Sequence, residues 1–100
     1  GTPMRVTVLE GVDGGAPIVR CTSVVLRDAT ATHDLLAEIN AFNLTLTTSR
    51  VWYDRGMVVV GSDVVADGFD LATFGRHYRH VATDAKRLSG LLAPLAATPG

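Results

Sequence analysis

The sequence of 100 residues predicts one α+β domain, in which an antiparallel sheet carries two helices packed on it in the order ββαββα. Two observations predict this class. Four stretches are strand-like, with alternating or β-branched apolar residues, and two others repeat apolar residues at helical spacing. We expect the domain to span residues 4–94. Residues 1–3 are interpreted as a cloning remnant or the start of an excised piece, and residues 95–100 as a tail.

The first two strands are predicted to form a hairpin. Residues 5–9 alternate polar and apolar side chains, as a half-buried strand does. Residues 12–17 are a run of turn formers, and residues 18–27 are rich in β-branched residues that favour a second strand. Cys21 in that strand is interpreted as a small buried thiol, and a single cysteine excludes an internal disulfide.

A short helix of about three turns follows, with Leu35, Leu36, Ile39 and Phe42 at helical spacing. Thr32 or Thr30 is the expected N-cap. Asn43 occupies a position where a left-handed C-cap is tolerated. We interpret Asn40 and Asn43 as structural residues that end the helix and satisfy backbone groups where the next strand begins.

Residues 44–53 are the predicted third strand. Alternation places Leu46 and Trp52 on one face and Tyr53 on the other. One aromatic residue of this pair should therefore lie in the core, and the other should be exposed or at an interface, where aromatic residues are enriched.

The fourth strand is predicted over residues 57–65, after a turn at residues 54–56. Gly56 is expected at positive φ in a short bulged hairpin. The strand is nearly all apolar, so we expect it to be central and covered on both faces, by helix on one side and by a partner on the other. Gly61 is interpreted as the site of a β-bulge.

The last helix has the clearest periodicity, in steps of three and four through Leu71, Phe74, Tyr78, Val81, Ala85, Leu88 and Leu92. Asp70 is the expected cap, and Pro94 the expected stop. A helix over residues 70–93 is roughly 36 Å long, whereas an eight-residue strand is about 27 Å. We therefore expect one end to overhang the sheet, with Leu91 and Leu92 on the overhanging part.

Composition and motifs argue against several classes of function. Lys and Arg total nine and Asp and Glu total ten, a net charge of −1, so duplex nucleic-acid binding is not expected. The longest apolar runs are far below the ~20 residues that span a bilayer. No signal peptide opens the chain, so a cytoplasmic location is expected. We find no pattern of a nucleophile with its base or of a phosphate loop, and therefore expect neither catalytic activity nor a cofactor.

One cluster leaves an alternative open. His77, His80 and Asp84 lie at i, i+3 and i+7 of the last helix, on one side of it. Imidazole and carboxylate groups at such spacing can hold zinc, which takes three or four ligands. A metal- or ligand-sensing regulatory domain built on these residues is the alternative hypothesis, and a regulatory domain cut from a larger enzyme is a third.

Residues 35–92 resemble the YbjN-like and type III secretion chaperone-like proteins. The resemblance is carried by the stretch "LLAEINAFNLTLTTSRVWYDRGMVVV", with Asn40 and Asn43 near the end of a short helix and the D-x-G turn at residues 54–56, and by the long helix from Asp70 onward. Those proteins have an αβββαββα fold, and the resemblance implies either that the first helix and first strand are trimmed from this sequence or that a second copy supplies the missing layer.

The resemblance implies a bacterial, cytoplasmic homodimer that holds an unidentified partner polypeptide without chemistry. We accordingly predict a chaperone-like peptide-binding module that uses an exposed apolar surface or an open strand edge. The candidate contact residues are Leu46, Trp52, Tyr53, Leu91 and Leu92.

Overall fold

The computed structural model of the chain describes residues 3–11, 15–46, 48–65 and 70–96. Its elements are β1 (Met4–Leu9), β2 (Ile18–Leu26), α1 (His33–Asn43), β3 (Arg50–Asp54), β4 (Met57–Val65) and α2 (Leu71–Ala96). The predicted α+β class and the order ββαββα are confirmed. Of the predicted first turn, residues 12–14 lie outside the described residues.

The four strands form one antiparallel sheet in the order β1-β2-β4-β3. The predicted central position of β4 is therefore confirmed. Both helices lie on one face, which we call the helix side. There the core consists of Cys21, Val25, Ala29, Leu35, Ile39, Val51, Val58, Val60, Val81, Ala85, Leu88 and Leu92. Residues of β4 alternate between this core and the opposite face, as period-2 geometry requires.

Helix α1 begins at the predicted cap, Thr32, whose hydroxyl accepts a hydrogen bond from the Leu35 amide at 3.1 Å. The prediction of a left-handed C-cap at Asn43 is wrong. Asn43 is the last helical residue, and the cap is Leu44 in the right-handed region. The chain instead continues into a tight turn, in which the amides of Thr45 and Leu46 both bond the Phe42 carbonyl at 2.9 Å.

Strand β3 begins at Arg50 rather than at residue 44, so the predicted third strand is six residues too long at its start. The amides of Thr45 and Leu46 donate to the Phe42 carbonyl at the end of α1. They are therefore not available to pair with a neighbouring strand. Leu46 packs against the core from this turn. Its predicted place on the strand face of Trp52 is therefore wrong.

The hairpin between β3 and β4 is tighter than predicted. Asp54 pairs directly with Met57, which leaves a two-residue turn of Arg55 and Gly56 without a bulge. Both turn residues have positive φ, 47° and 85°, as the turns that match the twist of a two-residue hairpin require. The positive φ predicted at Gly56 is confirmed.

Gly61 does not form a bulge, because β4 pairs in continuous register through it with both neighbours. The register shift lies in β2, between Val24 and Leu26. Gly61 is required for a different reason. A Cβ at this position would lie 2.8 Å from Cη2 of Trp52 and 2.9 Å from Cγ2 of Thr22, which is closer than carbon atoms approach.

Helix α2 starts at the predicted Asp70 cap, whose carboxylate accepts from the Ala72 amide at 2.9 Å. The helix continues through Pro94 instead of stopping there. Its last turn is held by α1, since the Thr32 hydroxyl donates to the Leu95 carbonyl at 2.9 Å. The predicted overhang of Leu92 is wrong, because Leu92 is fully buried, and it is Leu71 at the other end that is 76% exposed.

Candidate functional site

The face of the sheet opposite both helices carries charged, polar, aliphatic and aromatic side chains. We call it the open face and define it by the outward residues of the four strands: Arg5, Thr7, Leu9, Ile18, Arg20, Thr22, Val24, Arg50, Trp52, Asp54, Met57, Val59, Gly61, Asp63 and Val65. Strand alternation requires this placement, because intervening residues of β2, β3 and β4 enter the core. No helix of the described chain covers this face.

Trp52 lies at the centre of the open face. It pairs across the ladder with Val59, and its ring extends over Gly61 on the same neighbouring strand. Val59 is buried although it points away from the helices. The indole is half-buried by this packing and presents its remaining surface to solvent. The predicted division of the aromatic pair is confirmed, with Trp52 outside and Tyr53 packed against the core.

An ion network crosses three adjacent strands beside Trp52. Arg20 of β2 makes a bidentate contact to Asp63 of β4, with distances of 2.8 Å from Nε and 3.0 Å from Nη2. Arg50 of β3 reaches the same carboxylate at 3.6 Å. The hydrogen bond from Arg20 lowers the pKa of Asp63, and the same bond raises the pKa of Arg20. Asp63 is thus ionised and largely neutralised.

Two shallow concavities meet at Trp52 and Arg20. One, of about 310 Å³, extends toward Arg50 and Asn43 at the β3 edge. The other, of about 610 Å³, extends across β2 toward Arg5 and the β1 edge. Both are lined by Trp52 and Arg20, so they adjoin on the open face, one toward each edge of the sheet.

The two edges of the sheet differ. At the β3 edge, the Asn43 amide bonds both backbone groups of Val51, donating to the carbonyl and accepting from the N–H, each at 2.8 Å. The predicted role of Asn43 in satisfying the next strand is confirmed. Strand β1 lies at the other edge. On its helix side, Val6 and Val8 are 50% and 68% exposed, which marks an uncovered apolar strip.

Buried polar pairs under α2 were not predicted from the sequence. Ser62 Oγ lies 2.7 Å from Nδ1 of His77 and donates to the Thr48 carbonyl at 2.7 Å. With the hydroxyl hydrogen on Thr48, Nδ1 of His77 donates to Oγ and is not a base for it. Ser49 donates to the Asp84 carboxylate. These bonds satisfy two buried serines where the helix crosses the sheet.

The metal-site alternative receives no support. Within residues 3–11, 15–46, 48–65 and 70–96, no three His, Cys, Asp or Glu side chains converge on a point where an ion would fit. His77 and Asp84 are each engaged by a different serine, and His80 is exposed. The i, i+3, i+7 spacing places these groups along α2 without bringing a further ligand to them.

The five predicted contact residues separate into two groups. Trp52 and Leu91 reach solvent, the latter 52% exposed. Leu46, Tyr53 and Leu92 pack with the core, and the Tyr53 hydroxyl is used in a 2.8 Å bond to the Ala29 carbonyl. The arginines around Trp52 were missed. The signal for Arg20 is its place next to Cys21 in a strand, which sets it on the face opposite the buried thiol, whereas Arg50 and Asp63 become neighbours only through the register of β3 on β4.

Comparison with known proteins identifies a family. A family model described as "T3SS (YopN, CesT) and YbjN peptide-binding chaperone 1" (TY-Chap1) matches residues 4–95. No curated protein and no solved structure matches the chain. None of the helices in the described part is long and apolar enough to cross a membrane.

Proposed function

The chain belongs to the TY-Chap1 family of peptide-binding chaperones, and on that premise we propose that it is a non-enzymatic module that holds a partner polypeptide on the open face of its sheet. We further propose that it acts as a homodimer in the bacterial cytoplasm. The main observation that supports this binding surface is the half-buried Trp52, which lies where two concavities meet.

The physical support for this binding surface is the unfavourable free energy of leaving part of the Trp52 indole exposed to water. An aromatic ring that is partly in water gains free energy when a partner covers the rest of it, and tryptophan is the residue most enriched at binding hot spots. Because Gly61 has no side chain, the Trp52 ring can lie close against the sheet. A bound chain can therefore pass over it without a steric barrier. Of the predicted contacts, this proposal keeps Trp52. Leu91 is exposed on α2, on the other side of the sheet, and is not a contact of a chain bound to the open face.

The test is direct binding of extended peptides. Fluorescein-labelled 12-residue peptides that are rich in Leu and differ in charge would be titrated with the full chain and followed by anisotropy. Trp52→Ala should weaken the tightest complex by about 30-fold, the loss typical of a hot-spot residue. Leu44→Ala, a truncation at a residue that is exposed beyond α1, should have no effect. Absence of saturable binding to the unmodified chain would contradict the proposal.

The homodimer is supported by the difference between the sheet edges. Asn43 covers the β3 edge, whereas β1 combines an edge position with the exposed Val6 and Val8. Two copies can pair such a strip with itself about a two-fold axis. Light scattering over a range of concentrations should give a dimer mass. Val8→Lys should give the monomer mass, and Leu44→Lys should leave the dimer intact. A monomer mass at every concentration would contradict the proposed homodimer. It would not bear on peptide binding, which the anisotropy titration tests separately.

A further inference from the structure

The open face is basic, although the chain as a whole is slightly acidic. Its two concavities and the ion network between them include four arginines, Arg5, Arg20, Arg27 and Arg50, against two aspartates, Asp54 and Asp63. The surplus is two positive charges, in a chain whose net charge is −1. The rest of the sequence therefore carries five basic and eight acidic residues, a net charge of −3.

Three of the four guanidinium groups remain available to a ligand. Arg20 is committed to Asp63 by its bidentate contact. Arg50 shares that carboxylate only at 3.6 Å, and its side chain is 69% exposed. Arg5 and Arg27 make no ion pair with any residue that the structure describes. Asp54, the other acidic group, faces Arg55 at 3.1 Å.

The register of the sheet arranges these groups in two rows across the strands. One row is Arg5, Thr22, Gly61 and Arg50, because each residue pairs directly with the next. The neighbouring row is Val24, Val59 and Trp52. The first row thus has a guanidinium at each end and a glycine beneath the indole ring, and an apolar row lies beside it.

We propose that the open face binds an acidic, apolar-rich segment of a partner polypeptide that crosses the strands along this row. Carboxylates of the segment pair with Arg5 and Arg50, and an apolar side chain between them contacts Trp52. The inference rests on the proposed function and names the chemistry of the partner. A second copy of the chain does not fit this face, since face-to-face pairing would set arginine-rich surfaces against each other.

The row sets the spacing of the carboxylates. From β1 to β3 there are three strand intervals of about 4.8 Å, or roughly 14 Å. An extended chain advances about 3.4 Å per residue, so acidic residues four positions apart reach the two ends of the row from the same side of the segment. The residue midway between them also points to the sheet, where it meets the indole.

The test uses three labelled 12-residue peptides that differ only at two positions, four residues apart, which are both Glu, both Gln or both Lys, with Leu midway and Gly-Ser flanks. We expect the Glu peptide to bind the full chain about tenfold more tightly than the Gln peptide, and the Lys peptide to be weakest. The affinity of the Glu peptide should fall as the salt concentration is raised, because its contacts are exposed ion pairs.

Site variants and a matched control locate the interaction. Arg5→Glu and Arg50→Glu should each weaken the Glu peptide by about tenfold, and Arg50→Glu should improve binding of the Lys peptide. Arg76→Glu makes the same charge change on the exposed surface of α2, and we expect no effect from it. All three positions are at the surface, so the variants are expected to fold, which circular dichroism would verify.

The outcomes separate this inference from the proposed function. Equal affinity for the Glu and Gln peptides, or an equal loss with Arg76→Glu, would overturn the acidic-segment inference while peptide binding stands. Tighter binding of a single-stranded oligonucleotide than of the Glu peptide would also overturn it, since arginine and tryptophan can attract phosphates and bases. If none of the peptides binds, the proposed function itself is contradicted.

Discussion

At the scale of single residues, the two asparagines of α1 illustrate how similar positions carry different roles. The Asn43 amide forms both hydrogen bonds that a neighbouring strand would offer Val51. Asn40 is exposed, one turn earlier, and its side chain bonds nothing in the described chain. The sequence indicated a structural role for both asparagines. Which of them hydrogen-bonds to the next strand depends on where β3 runs relative to α1, and this is not encoded locally.

We predict that Asn43→Ala lowers the free energy of unfolding by about 2 kcal/mol, since two hydrogen bonds to a strand backbone are lost at about 1 kcal/mol each. Asn40→Ala should change it by less than about 0.5 kcal/mol, as surface substitutions usually do. Urea denaturation followed by circular dichroism measures both. Equal effects at the two positions would show that the Val51 bonds contribute no net stability.

A second residue-scale prediction concerns Gly61. Gly61→Ala places a methyl group against the Trp52 ring, and overpacking of this kind typically costs about 1–3 kcal/mol. Gly90→Ala is the matched control. A Cβ there meets nothing within 4 Å, and alanine should stabilise the helix by up to about 1 kcal/mol.

Urea denaturation of the two glycine variants measures these changes, and the tryptophan emission should shift in Gly61→Ala alone. The ring must move to accommodate the new methyl group. Unchanged emission, together with unchanged stability, would mean that Trp52 does not lie over Gly61.

At the scale of elements, predictability follows how local the determining contacts are. Helix α2 was recognised from its apolar period and from Asp70, and β4 from its apolar run. Both signals lie within the element itself. The start of β3 was not recognised, because the turn bonds from Thr45 and Leu46 to Phe42 compete with strand pairing over residues that alternate well. The continuation of α2 past Pro94 likewise depends on α1, through Thr32 and Leu95.

The candidate site depended on still longer-range contacts. Alternation alone separated Trp52 from Tyr53, but it did not say which of the two lies outside the core. The row from Arg5 to Arg50 unites residues from all four strands, and their order in the sheet is not the order in the chain. No short motif encodes such a row, so only the register assembles it.

The ion network that joins β2, β4 and β3 predicts a pH dependence. Arg20 holds the pKa of Asp63 below its ordinary value of about 3.9. The network therefore adds stability above that ordinary value, and the gain is lost as the pH falls through the lower, folded-state pKa. In urea titrations, Asp63→Asn should be less stable than the unmodified chain above pH ~5, and the difference should shrink below pH ~4.

Glu38→Gln, an exposed change on α1, serves as the control and should show no such pH-dependent difference. A gap between Asp63→Asn and the unmodified chain that stays constant down to strongly acidic pH would contradict a stabilising carboxylate at this position.

At the scale of the whole molecule, the fold separates stability from recognition. Both helices and nearly all of the buried apolar residues lie on one side of the sheet. Among the described residues, the other side carries one aromatic residue, a charge network and two concavities that adjoin at Trp52 and Arg20. A domain of this size can dedicate a sheet face to binding because a single helix-covered core supplies its stability.

The most direct test of the account is an amide chemical-shift titration of the full chain with the Glu peptide described above. We predict that the perturbed resonances lie on the open face, at Arg5, Thr22, Gly61, Arg50 and the Trp52 indole, with those of α2 unchanged. Perturbations confined to the exposed surface of α2 or to the Val6 and Val8 strip, with the open-face resonances unchanged, would contradict binding at the open face.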